Sequence, residues 1–268
     1  MSFSIKGKTA IVTGAANGIG LAIARHFIDQ GANVMLADID EDKLCAESAA
    51  IGSERAQCFG GDLCQKLTVA NLQSATIDAF DRIDILVNAS RQVLPSNPLD
   101  AKEDSFEALL KQNVLSNLRL TQSVVKLMIR QAKTDGDTSS NTIGTVINLS
   151  SIASDRTHPD LLAYSVSCAA LNQMTRSLAV SLAKDRVRVN AVAIGSVMSA
   201  NLQEVLQEDD DLRDRVIAIT PMGRIAEAQE VAEVVQFLAA GSSSFVTGQI
   251  LNVDGGRTLI DPLETAVN

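Results

Sequence analysis

Three glycines and a carboxylate near the start of the chain carry the first chemistry that can be read from it. Gly14, Gly18 and Gly20 follow directly on Thr9–Val12, a short apolar run with β-branched residues of the kind that forms a buried parallel strand. From Ile19 the apolar residues recur at helical spacing, with Ile23 and Phe27 on the same face, until Gly31 offers a stop. Strand, glycine turn and helix N-terminus, with Asn17 inside the turn, place backbone N–H groups and the positive end of a helix dipole where a diphosphate can sit. The spacing is not the commoner G-x-G-x-x-G pattern, so the glycines alone also fit an ordinary turn. The next segment narrows the choice. Asn33–Asp38 is a second buried strand ending on an acid close to the distance expected for a ribose-binding carboxylate. Asp38 could be a solvated loop acid beside Asp40, Glu41 and Asp42. We favour the ribose role, in which it accepts both adenosine hydroxyls and repels a 2′-phosphate, so NAD is expected over NADP.

Composition bounds the classes open to such a site. The 268 residues are 46% hydrophobic and 21% charged, enough for one large α/β core, and one domain spanning 1–268 is expected. A net charge of −9 disfavours nucleic acid or an anionic membrane as partner, because either needs a basic face. Without a cationic, apolar leader or a run of some 18 apolar residues, a cytoplasmic location is expected. Cys45, Cys58, Cys64 and Cys168 form no C-x-x-C pair, and His26 and His158 are the only histidines, so no transition-metal cluster is expected.

The elements that must position the site alternate along the chain. Glu41–Ala50 reads as helix, and Ala56–Phe59 as a strand running into Gly60-Gly61-Asp62-Leu63. Asp62 there either meets an adenine or caps the helix that begins near Leu67. Ile83–Val87 is a fourth strand leading into Asn88-Ala89-Ser90, and Phe106–Arg130 a long helix that Asn113 interrupts. Ala132–Thr142 is polar and reads as an exposed loop. Gly144–Leu149, Arg188–Ile194 and Gln249–Val253 are further strands, and Tyr164–Ala183 and Glu227–Ala239 further helices. Ser196–Thr220 mixes acids with Leu202, Val205 and Leu206, as a flap over a site does. Seven strands with helices between most of them predict a Rossmann-like, doubly wound parallel sheet.

Taken together, the pattern resembles the short-chain dehydrogenase/reductase family from Lys8 to Gly256. Thr13-Gly14-x3-Gly18-Ile19-Gly20 is similar to its cofactor loop, Asn88-Ala89 to the start of its Asn-Ala-Gly motif, and Phe245–Gly256 to its C-terminal signature. Ser151 stands thirteen residues before Tyr164, the family's serine-to-tyrosine interval. The resemblance implies that Tyr164, the chain's only tyrosine, moves a proton while hydride passes between nicotinamide and an alcohol or carbonyl carbon, with Ser151 bonding the substrate oxygen and Asn113 assisting. Ser150 competes for the serine role, and the interval favours Ser151. Cofactor contacts are implied from Gly14, Asn17, Gly18, Ile19, Gly20 and Asp38 at one end. Asp62, Leu63, Asn88, Ala89, Tyr164, Gly195 and Val197 would supply the rest. A homotetramer or homodimer is implied as well, built on the helices from Phe106 and Tyr164 through small residues such as Ala169, Ala170, Ser177 and Ala179.

One expected group is absent. The family places a lysine one helical turn after the tyrosine, and here that position is Cys168, a neutral thiol. A nearby cation lowers a tyrosine pKa by about 1–3 units, so its loss makes tyrosinate about 10- to 1000-fold rarer. Ser90 in place of the motif glycine and Ile194 in place of a proline fall toward the same nicotinamide end. Two functions follow: an NAD(H)-dependent oxidoreductase in which another cation, with Arg91 and Arg156 as candidates, or a water chain replaces the lysine; or an NAD(H)-binding protein without turnover that serves as a regulatory or structural partner.

Overall fold

Period-two burial organises the molecule. Ala10 and Val12, Val34 and Leu36, and Ile85 and Val87 project to one face of a sheet, whereas Ile11, Met35 and Leu86 between them project to the other. Each face must therefore be covered, which is the condition that produces a parallel sheet clothed in helices. The computed structural model describes residues 3–139, 141–199, 202–203, 206 and 211–261. Among them the strands are β1 (Thr9–Thr13), β2 (Asn33–Asp38), β3 (Ala56–Gly60), β4 (Ile85–Asn88), β5 (Gly144–Ser151), β6 (Val187–Ile194) and β7 (Ile250–Val253). Their spatial order is β3-β2-β1-β4-β5-β6-β7, and every ladder is parallel.

The helices are α1 (Gly18–Asp29), α2 (Glu41–Ile51), α3 (Lys66–Phe80), α4 (Phe106–Leu110), α5 (Ser116–Thr134), α6 (Leu162–Leu182), α7 (Leu212–Ala218) and α8 (Ala228–Ala239). Helices α1, α2 and α8 pack on one face through Ile23, Phe27, Leu44, Val231 and Val235. Helices α3 and α5 cover the other through Leu72, Leu120, Val124 and Met128. The order reverses between β1 and β4, so the loops leaving these two strands diverge and open a crevice at their C-terminal ends.

Most elements fall where the sequence places them, and the departures have local causes. β4 starts at Ile85 and not Ile83, because the Asp84 carboxylate accepts the Thr9 N–H at 2.9 Å and pairs with Arg82 at 2.7 Å. The long helix from Phe106 is not uniform: Lys111–Leu115 forms a π-helical turn between α4 and α5, with Asn113 at its centre. It also runs on to Thr134, three residues into the expected loop. Of the expected flap at 196–220, Leu212–Ala218 is helical, whereas 200–201, 204–205 and 207–210 lie outside the described residues.

Candidate active site

The glycine turn is held from beneath by one hydroxyl. Thr13 Oγ1, at the end of β1, accepts the N–H groups of Ala89 and Ser90, both at 3.0 Å, and donates to the Val87 carbonyl at 3.4 Å. The ends of β1 and β4 are thereby tied so closely that a Cβ on Gly14 would lie 2.8 Å from Ser90 N, and its φ of +66° favours glycine as well. A Cβ on Gly20 would lie 2.0 Å from the Gly14 carbonyl oxygen, so the start of α1 rests directly on the turn. No side chain caps α1: Asn17 at the cap position makes no such bond, and its first turn holds no acid. The end that attracts anions therefore carries no competing carboxylate.

Asp38 closes the turn from the side. Its Oδ2 accepts the Ala16 N–H at 3.1 Å and its Oδ1 the Asp40 N–H at 3.2 Å, which leaves further lone pairs on both oxygens. Between these groups lies a cleft of about 600 Å³, lined by Gly14, Asn17, Gly18, Ile19, Gly20 and Asp38, then by Asp62, Ala89 and Arg91. Its size, uncapped helix end and carboxylate fit a dinucleotide. Asp62 both lines the cleft and accepts the Cys64 N–H at 2.9 Å, a bond that holds its carboxyl below the usual range. It shapes the turn into α3 and not the helix cap itself, which is Gln65. Leu63 is buried in the core beneath. Asn88 also points inward, donating to Thr121 at 3.1 Å and to Asn148 at 2.8 Å, and Asn148 passes the chain on to Thr175. At the end of β6, a Cβ on Gly195 would lie 2.4 Å from Ile152 Cδ1, and Val197 bridges to Ala226; neither lines the cleft.

Beside the cleft, side chains from three elements converge on one phenol. Tyr164, in the first turn of α6, is 5% exposed. Its hydroxyl accepts a hydrogen bond from Arg91 Nη1 at 3.0 Å, and the same nitrogen donates to the Ser150 carbonyl at 3.3 Å. Ser151 and Cys168 are the other polar neighbours that act on that hydroxyl, Ser151 lowering its pKa and Cys168 raising it. Ser150 Oγ, by contrast, is buried without a protein partner and does not act on the tyrosine, whereas Ser151 does. Burial pushes the Tyr164 hydroxyl above the ordinary tyrosine value, while the Arg91 charge pulls the other way. Burial likewise pushes the Cys168 thiol up, which keeps it neutral.

Asn113 is near the tyrosine but engaged elsewhere. Its Oδ1 accepts the Gln92 N–H at 2.8 Å and its Nδ2 donates to the Gln92 carbonyl at 2.9 Å, a two-point clamp on the loop that carries Arg91. The same Nδ2 reaches Ser167 Oγ at 3.2 Å on α6, while Asn117 Nδ2 donates to the Asn113 carbonyl at 2.8 Å. A π turn at this point gives the carbonyl a side-chain partner, a geometry that recurs at functional sites. A cavity of about 10 Å³, room for one water at most, is enclosed by Arg91, Asn113, Tyr164 and Cys168 with four neighbours. Arg156 instead donates to the Thr258 carbonyl and leaves the tyrosine to Arg91.

Sequence reasoning did not single out Thr13 as the tie between strands, nor Gln92 as the anchor of the Arg91 loop, nor Cys64, Lys111 and Gln112 in the cleft wall. The available signal was position: Arg91 follows Asn88-Ala89-Ser90 at once and is the first cation after the C-terminal end of β4.

A doubly wound parallel sheet with a glycine turn at its switch point, and a tyrosine and serine beside the cleft, defines a dinucleotide-binding oxidoreductase. Comparison with known proteins agrees. The family model described as enoyl-(acyl carrier protein) reductase matches residues 14–258. A 3-oxoacyl-[acyl-carrier-protein] reductase of Thermotoga maritima is 30% identical over 258 residues, 95% of this chain and 99% of that protein. Glucose 1-dehydrogenase of Gluconobacter oxydans is 33% identical over 262 residues, 96% of this chain and 94% of that one. The solved structure of a 7α-hydroxysteroid dehydrogenase complexed with NADH and 7-oxo glycochenodeoxycholic acid superposes with a TM-score of 0.85 at 28% identity, covering 95% of this chain and 96% of that one. The chain belongs to the short-chain dehydrogenase/reductase family, and it is an oxidoreductase of the hydride-transfer type that uses a nicotinamide cofactor. Among the described residues no helix is long and apolar enough to cross a membrane.

Proposed function

We propose that the protein uses NAD(H) in preference to NADP(H) and interconverts an alcohol and a carbonyl on a small molecule, with Tyr164 as the proton-transferring residue and Ser151 as the substrate-oxygen ligand. The observation that carries this is the meeting of Tyr164, Ser151 and Arg91 beside a cleft whose far wall holds Asp38. Gly14, Asn17, Gly18, Ile19 and Gly20 would hold the diphosphate, Asp38 the adenosine ribose and Asp62 the adenine side. A bound nicotinamide supplies the carbon that accepts or gives hydride. In the reduction direction the Tyr164 hydroxyl gives its proton to the carbonyl oxygen, and in oxidation tyrosinate takes it back; Ser151 donates a hydrogen bond to the same oxygen. Asn113 acts as a positioning residue, fixing Gln92 and through it the loop.

The relatives' names include an oxoacyl-carrier-protein reductase, a glucose dehydrogenase and a hydroxysteroid dehydrogenase. Substrate choice therefore rests on the segments over the shared core, here 153–163 and 196–220. The outer face of α6 exposes Val166, Ala169, Ser177 and Val180, in keeping with a homodimer or homotetramer; Ala179 is buried in the protomer's own core and does not contribute. The same reading places the protein in the cytoplasm.

Calorimetric titration with NADH and NADPH tests the cofactor assignment. A carboxylate about 4 Å from a phosphate costs on the order of 1–4 kcal/mol between bulk water and a surface dielectric. NADH should thus bind about tenfold or more tightly, and Asp38→Asn should narrow the gap. Tighter binding of NADPH would remove Asp38 from the ribose. The second reading, nucleotide binding without turnover, draws on the thiol at position 168; NADH binding with no oxidoreduction across a broad alcohol and carbonyl screen would favour it.

A further inference from the structure

We propose that Arg91 is the catalytic cation of this enzyme: delivered from the loop after β4 and not from helix α6, its guanidinium donates to the Tyr164 hydroxyl and stabilises the tyrosinate that proton transfer requires. The proposal deepens the function given above and rests on Tyr164 being its proton-transferring residue. Three observations carry it. Arg91 Nη1 bonds Tyr164 Oη at 3.0 Å and the Ser150 carbonyl at 3.3 Å, so the charge is held on the phenol by a second anchor. The loop bearing it is fixed at the next residue by the two-point clamp from Asn113. Arg91 also lines both the dinucleotide cleft and the small cavity around Tyr164.

The chemistry suits an arginine. A lysine in a half-buried site risks losing its proton, whereas a guanidinium stays charged, and the two protons of Nη1 serve two acceptors at once. Two titratable groups face the phenol, Arg91 from the β4 loop and Cys168 from α6, with Ser151 as the polar neighbour from β5. The thiol stays neutral and adds no charge beside the phenol, whereas a lysine at position 168 would set a second positive charge on one hydroxyl. The substitution at 168 and the arginine at 91 are on this view a single exchange of the cation between elements. Arg91 lowers the tyrosine pKa against the upward push of burial.

The chain's composition provides a direct test, because Tyr164 is its only tyrosine and it has no tryptophan. Tyrosinate absorbance, and the single NMR resonance of an isotope-labelled tyrosine ring, therefore report Tyr164 alone in the protein without nucleotide or substrate. Arg91→Gln should raise the titration midpoint by about 1–3 pH units, with circular dichroism confirming the fold at each pH, and Arg91→Lys should raise it less. At neutral pH the labelled ring resonance should move in Arg91→Gln as the guanidinium bond is lost, a readout that does not depend on stability in alkali. In turnover, Arg91→Gln should lower kcat about 10- to 1000-fold, and the rising limb of the oxidation pH profile should move to higher pH. Cys168→Lys should recover activity in the Arg91→Gln background and give no gain in the wild-type one. An Arg91→Gln protein whose Tyr164 resonance and midpoint match the wild type overturns the proposal. Failure of the underlying mechanism is separately visible: Tyr164→Phe would keep its turnover, whatever the titration shows.

Discussion

The glycine turn and the tyrosine cluster border one another, yet they are built from different material. The first is made of backbone: Gly14, Gly18 and Gly20 shape it, Thr13 ties it down, and Asp38 braces it through the Ala16 N–H. The second is made of side chains from four elements, the β4 loop, the π turn, the end of β5 and the start of α6. A backbone site is changed by almost any substitution that adds a Cβ, as the 2.0 Å approach at Gly20 illustrates. A side-chain site can exchange one group for another of equal charge arriving from a different direction. That contrast fits a chain that has the glycines and Asp38 of the turn implied by the family resemblance and lacks the implied lysine at Cys168.

The cradle should be the more fragile half. Gly18, at a φ of +52°, opens α1 at the cleft; Gly18→Val adds a β-branched side chain both to a conformation that disfavours it and to space that the diphosphate needs. NADH affinity should fall more than about 100-fold, on the order of 3 kcal/mol, while far-ultraviolet circular dichroism stays close to the wild type. Retained affinity in a folded variant would take the turn out of the site. The cluster should yield in smaller steps. Asn113→Ala removes the clamp on Gln92, leaving polar groups unpaired at a stability cost of about 1–3 kcal/mol. The loop is then less well held, so the Tyr164 midpoint should rise by less than in Arg91→Gln, and NADH affinity should change little. A midpoint unmoved in Asn113→Ala would mean that Arg91 holds its place without the clamp.

The same contrast explains what could be read from the chain. Local spacing specified the cradle, because strand, turn and helix start are consecutive and the glycines report directly on the backbone. The seven-strand parallel sheet was legible for a similar reason: strands buried on both faces, such as β1 and β2, leave short apolar runs at Ala10–Val12 and Val34–Ala37. The cluster was only half legible. Tyr164 and Ser151 stand at a recognisable interval, but Arg91 meets Tyr164 across 73 residues of sequence, and nothing local to either position announces the contact. Counting from the tyrosine along its own helix finds Cys168 and a missing charge. The π turn was hidden too, since Lys111–Leu115 has an ordinary helical composition and the long-range partners of Asn113 there, Gln92 and Ser167, are distant in sequence. Arg91 and Arg156 were indistinguishable as loop cations until the fold turned one toward the tyrosine and the other toward Thr258.

The central claim is that an intact cradle serves a working proton-transfer centre, and Tyr164→Phe examines both parts in one variant when kcat and the NADH dissociation constant are measured together. Removing only the hydroxyl leaves the ring packed against Ala163 and Cys168 and takes away the transferable proton. General acid–base catalysis contributes about 10²–10⁴-fold, so kcat should fall by that factor while the NADH dissociation constant stays within about twofold. Unchanged kcat in a variant that binds NADH normally would contradict the account and send the proton through another group.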